Sequence, residues 1–184
     1  MRRLTGRGID ALVTSTLTRA CGSTPEPELL ERAIALYHDT YWRTCAGEIA
    51  LAPGILDMLR ALGAPRALLT NKARRYTETI LAPTGLAGCL EVLLAGDDPG
   101  ARLKPDPWSV HEALRQLGMP ATHAILVGDT ESDVGAAAAA RIPSCIVRWG
   151  SGGERAAARG TWSVGSVEEL SRLLVEGPPP APAR

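Results

Sequence analysis

Five polar residues, each at the end of an apolar run or beside a rigid turn, could carry chemistry in this chain. Thr70 and Asn71 follow Leu68-Leu69, Lys104 precedes Pro105-Asp106-Pro107, and Asp129 and Asp133 follow Ile125-Leu126-Val127-Gly128. A hydroxyl, a lone cation and a carboxylate pair are what a magnesium-dependent phosphoryl-transfer site sets around its phosphate. The acidic pair is the strongest motif. Asp129 directly follows a glycine at a buried strand end, and Asp133, one helical turn later, can face the same side. Two hard oxygen ligands with several retained waters are how proteins hold Mg²⁺.

Each motif also has a structural account. Thr70 or Asn71 can cap a following helix, or a hydroxyl and backbone amides there can orient a phosphate oxygen. Asp106 as an N-cap and Pro107 at the first helical position explain part of the second motif. They leave Lys104 unexplained; a lysine before a rigid turn can be aimed inward as a fixed cation that neutralises phosphate. Glu131 complements a helix dipole, and Asp97-Asp98 takes a secondary place in the site. Basic residues are divided unevenly, eighteen arginines against the two lysines Lys72 and Lys104. Both lysines fall inside the motifs, where a compact point charge on phosphate makes Arg a poor substitute.

Strands and helices must bring these residues together. Residues 1 to about 47 read as helical, with Leu29, Ala33 and Tyr37, and Leu30, Ile34 and Tyr41, recurring at helical spacing. A turn at Pro53-Gly54 leads into a short helix over 55–63 that glycine stops. Strands are then expected at 66–70, 90–95, 123–128 and 144–149, the last of them closing the sheet. Helices are expected at 72–82, 107–117, 131–141 and 167–175. This alternation means an α/β fold, a Rossmann-like doubly wound parallel sheet. Ligands of such sheets sit at the carboxyl ends of the strands, where Thr70, Asp97 and Asp129 all fall. His38, His111 and His123 read as packing or surface residues, and Tyr37, Tyr41 and Trp42 as a core stripe.

The 184 residues carry zero formal net charge, so no electrostatic footprint for nucleic acid or an anionic membrane is visible. Cys21, Cys45, Cys89 and Cys145 are scattered without a CxxC, against a zinc site or redox pair. No apolar run approaches a membrane span and no secretory signal follows Met1, so a cytoplasmic protein is expected. The tail from Gly177 is proline-rich and expected to be disordered.

Thr70, Lys104 and the pair Asp129/Asp133, in this order and at these strand ends, resemble motifs two to four of the haloacid dehalogenase-like (HAD) hydrolases. Pro53-Gly54-Ile55, Leu69-Thr70-Asn71-Lys72, Gly96-Asp97-Asp98, Lys104-Pro105-Asp106-Pro107 and Val127-Gly128-Asp129 are similar to the phosphoglycolate phosphatase branch. The resemblance divides the chain into a partial helical cap at 1–50, a Rossmann-type core at 51–176 and a tail at 177–184. It implies catalytic roles for Thr70, Asn71, Lys104, Asp129 and Asp133. Thr70 would hold the phosphate and Lys104 neutralise it, while Asp129 would ligate Mg²⁺ with Asp133 supporting the metal shell. The implied chemistry is hydrolysis of a small phosphorylated metabolite through an aspartyl-phosphate.

One motif is missing from the pattern. The family's Asp-x-Asp-Gly-Thr has no counterpart here, and Asp10, which follows no buried strand, cannot replace it. The strand that carries it would lie between those ending at Thr70 and Gly128. Both points lead to the expectation that roughly 40 residues, a strand and two average helices, precede Met1. The competing reading is a non-catalytic relative that keeps the phosphate pocket for a ligand or protein partner. A coding frame upstream of Met1 that supplies the motif decides for the enzyme. Substrate identity and oligomeric state are not readable from these residues.

Overall fold

The computed structural model of the chain describes residues 8–45, Gly47 and residues 49–177. The tail beyond Gly177 and residues 1–7 of the expected cap lie outside the described residues.

Two helices come first, α1 (Ile9–Cys21) and α2 (Pro27–Thr44), packed against each other. Gly22 ends α1 in the left-handed conformation, and Pro27 opens α2 at a first-turn position where no N–H is missed. After α3 (Ile55–Ala61) the chain alternates as the pattern predicts: β1 (Ala67–Leu69), α4 (Arg74–Leu81), β2 (Val92–Leu94), α5 (Trp108–Leu117), β3 (Leu126–Gly128), α6 (Glu131–Ala139) and β4 (Ser144–Val147). Two further elements follow, α7 (Gly153–Ala157) and β5 (Trp162–Val164), before α8 (Val167–Glu176). The strand at β4 is therefore not the last. Three residues bounded by Gly160 and Gly165 show no period, so β5 is assigned only by its parallel pairing with β4.

All strand pairs are parallel, in two pieces: β1 with β2, and β3-β4-β5 in that order. No hydrogen-bonded ladder joins β1 to β3, which leaves a gap between the two pieces. Side chains still cross it, because Leu69 packs on the cluster of Val110, Leu126, Ala136 and Ala140. Val127, on the other face of β3, is 39% exposed, unusual for a strand that parallel pairing would bury on both faces. A second core cluster joins Met58, Cys145, Val164 and Leu170 beneath α3 and α8. Burial pushes the Cys145 thiol up to about 11, which keeps it protonated and inert.

The aromatic stripe of α2 differs from expectation. None of its residues is fully buried, and Trp42 is largely exposed. The stripe instead rests on Tyr76 of α4, whose own exposure is 0%. Tyr41 meets that ring edge-on at 5.1 Å, and His38 stacks on it at 5.8 Å. The core thus supplies the buried aromatic, and the helix pair drapes over it.

Candidate active site

The carboxyl ends of β1 and β3 face the same opening, and Lys104 spans it. Its ammonium donates to the Leu69 carbonyl of β1 at 2.7 Å and to Asp133 Oδ1 of α6 at 2.7 Å. The Lys104 side chain is 12% exposed, so this is a mostly buried ion pair. An ammonium has three protons, and no described residue accepts the third.

Asn71 holds that lysine in place. Its amide donates to the Lys104 carbonyl at 2.9 Å, and its side-chain oxygen accepts from the Lys104 N–H at 2.8 Å. Neither Thr70 nor Asn71 caps α4, which starts at Arg74 after the N-cap Ala73. The α4 start is secured from β2 instead. Asp97 accepts from the Arg74 N–H at 2.7 Å, and Asp98 receives a bidentate pair from the Arg74 guanidinium. The guanidinium beside it holds the Asp98 carboxyl below its usual range, against the effect of burial. The Asp97-Asp98 pair therefore braces the site without being shown inside it. We expect Asn71→Ala to cost about 1–3 kcal/mol in chemical denaturation, because both partly buried Lys104 backbone groups lose their partner.

Thr70 sits just past β1, where its hydroxyl oxygen accepts from the Lys72 N–H at 3.1 Å. The hydroxyl proton has no acceptor among the described residues. Lys72 itself is exposed. Asp106 accepts from the Trp108 N–H at 2.9 Å, but α5 starts at Trp108 with Pro107 as its N-cap, so neither Asp106 nor Pro107 takes the capping place expected of it. The Lys104–Pro105 peptide is cis.

The two acids of the third motif differ sharply. Asp133 is buried and fully engaged: Oδ1 accepts from Lys104, and Oδ2 accepts from the Thr130 N–H at 3.0 Å and its hydroxyl at 2.6 Å. Burial alone would raise its carboxyl. The Lys104 charge and these hydrogen bonds outweigh it and hold the group below the usual carboxylate range. Gly128 is needed beside it, since a Cβ there would overlap the Asp133 side chain. Asp129 is held differently. Its Oδ2 accepts twice from Ser151, from the N–H at 2.6 Å and the hydroxyl at 2.8 Å, while Oδ1 has no hydrogen bond from any described residue.

Ser151 was absent from the sequence reading. The Gly150-Ser151-Gly152-Gly153 run just past a strand end was the available signal, a glycine-rich loop on the ligand side of the sheet. Asp10, by contrast, lies on α1 with Oδ1 2.8 Å from His38 Nε2, off every strand end.

Among the described residues, no group of three or more His, Cys, Asp or Glu side chains could hold a metal by itself. A single open carboxylate oxygen fits Mg²⁺ all the same, because that ion keeps several waters and takes one or two carboxylates plus substrate phosphate.

A parallel α/β core with a hydroxyl, a bracketed lysine and an acid pair just beyond its strands is in keeping with what sequence comparison shows. The chain belongs to the haloacid dehalogenase-like hydrolase family, whose model matches residues 4–147. Within it, the chain is 40% identical over 174 residues to the plasmid-borne phosphoglycolate phosphatase of Cupriavidus necator, covering 92% of this chain and 74% of that one. It is 34% identical over 148 residues to the phosphoglycolate phosphatase of Thiobacillus denitrificans, covering 79% of this chain and 65% of that protein. The chain thus spans 65–74% of these two relatives' length. In fold it is similar to a crystal structure described as a predicted phosphoglycolate phosphatase from Haemophilus somnus. The TM-score is 0.84 at 19% identity, covering 94% of this chain and 80% of that one.

Proposed function

We propose that this protein hydrolyses a small phosphate monoester, with 2-phosphoglycolate as the nearest candidate, in the cytoplasm. The observation that carries the reading is the bracketed Lys104, whose third proton points to no described acceptor. A cation fixed at two points and open at the third neutralises a phosphate oxygen without reorganising. Thr70 donates its hydroxyl proton to a second phosphate oxygen. Asp129 offers Oδ1 to Mg²⁺, which when bound would spread the phosphate charge and orient it. Asp133, with both oxygens engaged, fixes Lys104 and the Asp129 backbone. The direct ligand role then falls to Asp129.

The nucleophilic carboxylate of the aspartyl-phosphate route would come from a strand seated between β1 and β3. Helices α1 and α2, within residues 1 to about 50, act as the cap over the 51–176 core. The relatives' names and the family match support the phosphatase reading.

Phosphate release from 2-phosphoglycolate by the native protein, with and without Mg²⁺, tests it. Asp129→Asn is expected to lower Mg²⁺-dependent turnover by more than about 100-fold, since even residues that only orient a ligand cost 10–100-fold. Unchanged turnover in that variant would remove Asp129 from the metal site.

A further inference from the structure

The loop after β4 carries a second layer of design around Asp129. Gly150 and Gly152 press against that residue so closely that a Cβ on the first would overlap the Asp129 side chain and one on the second its carbonyl oxygen. The close approach brings Ser151 onto one carboxylate oxygen. Its N–H and its hydroxyl both donate to Oδ2, at 2.6 and 2.8 Å, and Oδ1 is left without a donor among the described residues.

Two donors on one oxygen fix the rotation of the carboxylate and make its two oxygens unequal. The distinction matters for cation choice. Mg²⁺ demands near-octahedral geometry, which a carboxylate meets through one oxygen. Ca²⁺ takes 6–8 oxygen ligands and readily accepts both oxygens of one carboxylate. We infer that Ser151 is a positioning residue that restricts Asp129 to one-oxygen coordination, favouring Mg²⁺ over Ca²⁺. This inference rests on Asp129 being the cation ligand of the proposed phosphatase. No other element competes for Oδ2: Thr130 and Lys104 both address Asp133.

The test is cation binding without substrate. Native protein, Ser151→Ala and Ser151→Thr are titrated with MgCl₂ and separately with CaCl₂ by calorimetry, with circular dichroism confirming the fold. Ser151 is exposed, so the alanine variant should fold. Losing an orienting partner costs about 10–100-fold in metal affinity. Ser151→Ala should therefore bind Mg²⁺ at least about tenfold more weakly, with the Mg²⁺/Ca²⁺ affinity ratio moving toward Ca²⁺. Ser151→Thr keeps the hydroxyl and should restore both. An alanine variant with native Mg²⁺ affinity and ratio overturns the role of Ser151 and leaves the Asp129 assignment standing. A native protein that binds no Mg²⁺ overturns both together, and Asp129→Asn then behaves like the wild type in the same titration.

Discussion

Replacing Lys104 with methionine is expected to cost this protein about 3–5 kcal/mol of stability at neutral pH, because an uncompensated charge is left buried. The lysine and Asp133 are both largely withdrawn from water, and Lys104 is the strongest influence holding the Asp133 carboxyl down. With the lysine gone, the burial that opposes ionisation acts unchecked and the carboxyl moves up. The sign of the pH dependence follows. In the wild type the depressed value stabilises the fold above the unfolded carboxylate range, near pH 3.9, and that contribution is lost as pH falls through the folded value. In Lys104→Met the raised value destabilises at neutral pH, and protonation relieves the penalty on acidification. Urea unfolding at pH 7 and pH 4.5 should therefore show the gap between the two proteins narrowing with acid. A gap that is constant or widens would mean that Asp133 does not depend on the lysine. Lys104→Met with Asp133→Asn should recover part of the loss, since no buried charge then remains. On the proposed function, neither variant should turn over substrate, because the fixed cation is absent from both.

Tyr76→Ala is expected to match that cost by another route. The ring is wholly buried and larger than any other side chain so enclosed. Deleting a buried aromatic ring costs about 3–5 kcal/mol, from lost transfer energy and the cavity left behind. Tyr41, Trp42 and His38 all pack on this ring from α2, and Arg75 lies over it at 4.5 Å. Helix α2 packs on α1 and buries none of its own residues fully. Hydrogen exchange should accordingly rise more steeply in α1 and α2 than in β3 and β4. Tyr76→Phe separates packing from polarity. It keeps the ring and removes a hydroxyl that sits 2.5 Å from His38 Nδ1 and also takes a hydrogen bond from Arg75, and its cost should be about 1–2 kcal/mol. Equal exchange across all helices in Tyr76→Ala would show that the helix pair is held elsewhere.

Both residues illustrate how unevenly the sequence disclosed the structure. Lys104 was legible because it is one of two lysines in an arginine-rich chain and precedes a rigid Pro-Asp-Pro turn whose capping account leaves it unexplained. Tyr76 was not. It falls in a short helix of charged and polar residues, and nothing in Arg74-Arg75-Tyr76-Thr77 marks one ring as the support of a helix thirty-odd positions earlier. The strands before β5 were legible for the reason β5 was missed. They lie in unbroken apolar runs of three or four residues, at 67–69, 92–95, 124–127 and 145–147, whereas Trp162-Ser163-Val164 is broken by a serine.

For the site, the sequence by itself determined the alternating parallel architecture and singled out five polar residues in the loops and helix start that follow its strands. Those follow from local rules: side-chain period, turn chemistry and the position of strand ends relative to the runs that form them. Only the tertiary structure decided what each residue does. Asn71 clamps a backbone 33 positions away, Lys104 pairs with an acid 29 positions away, and Asp129 is turned by a serine 22 positions away. Asp129 and Asp133 are the same residue type four positions apart, yet among the described residues one keeps an oxygen without a donor and the other has none. The difference arises where separate βα units meet, and hydrogen bonds made across such a junction leave no period for a sequence to show.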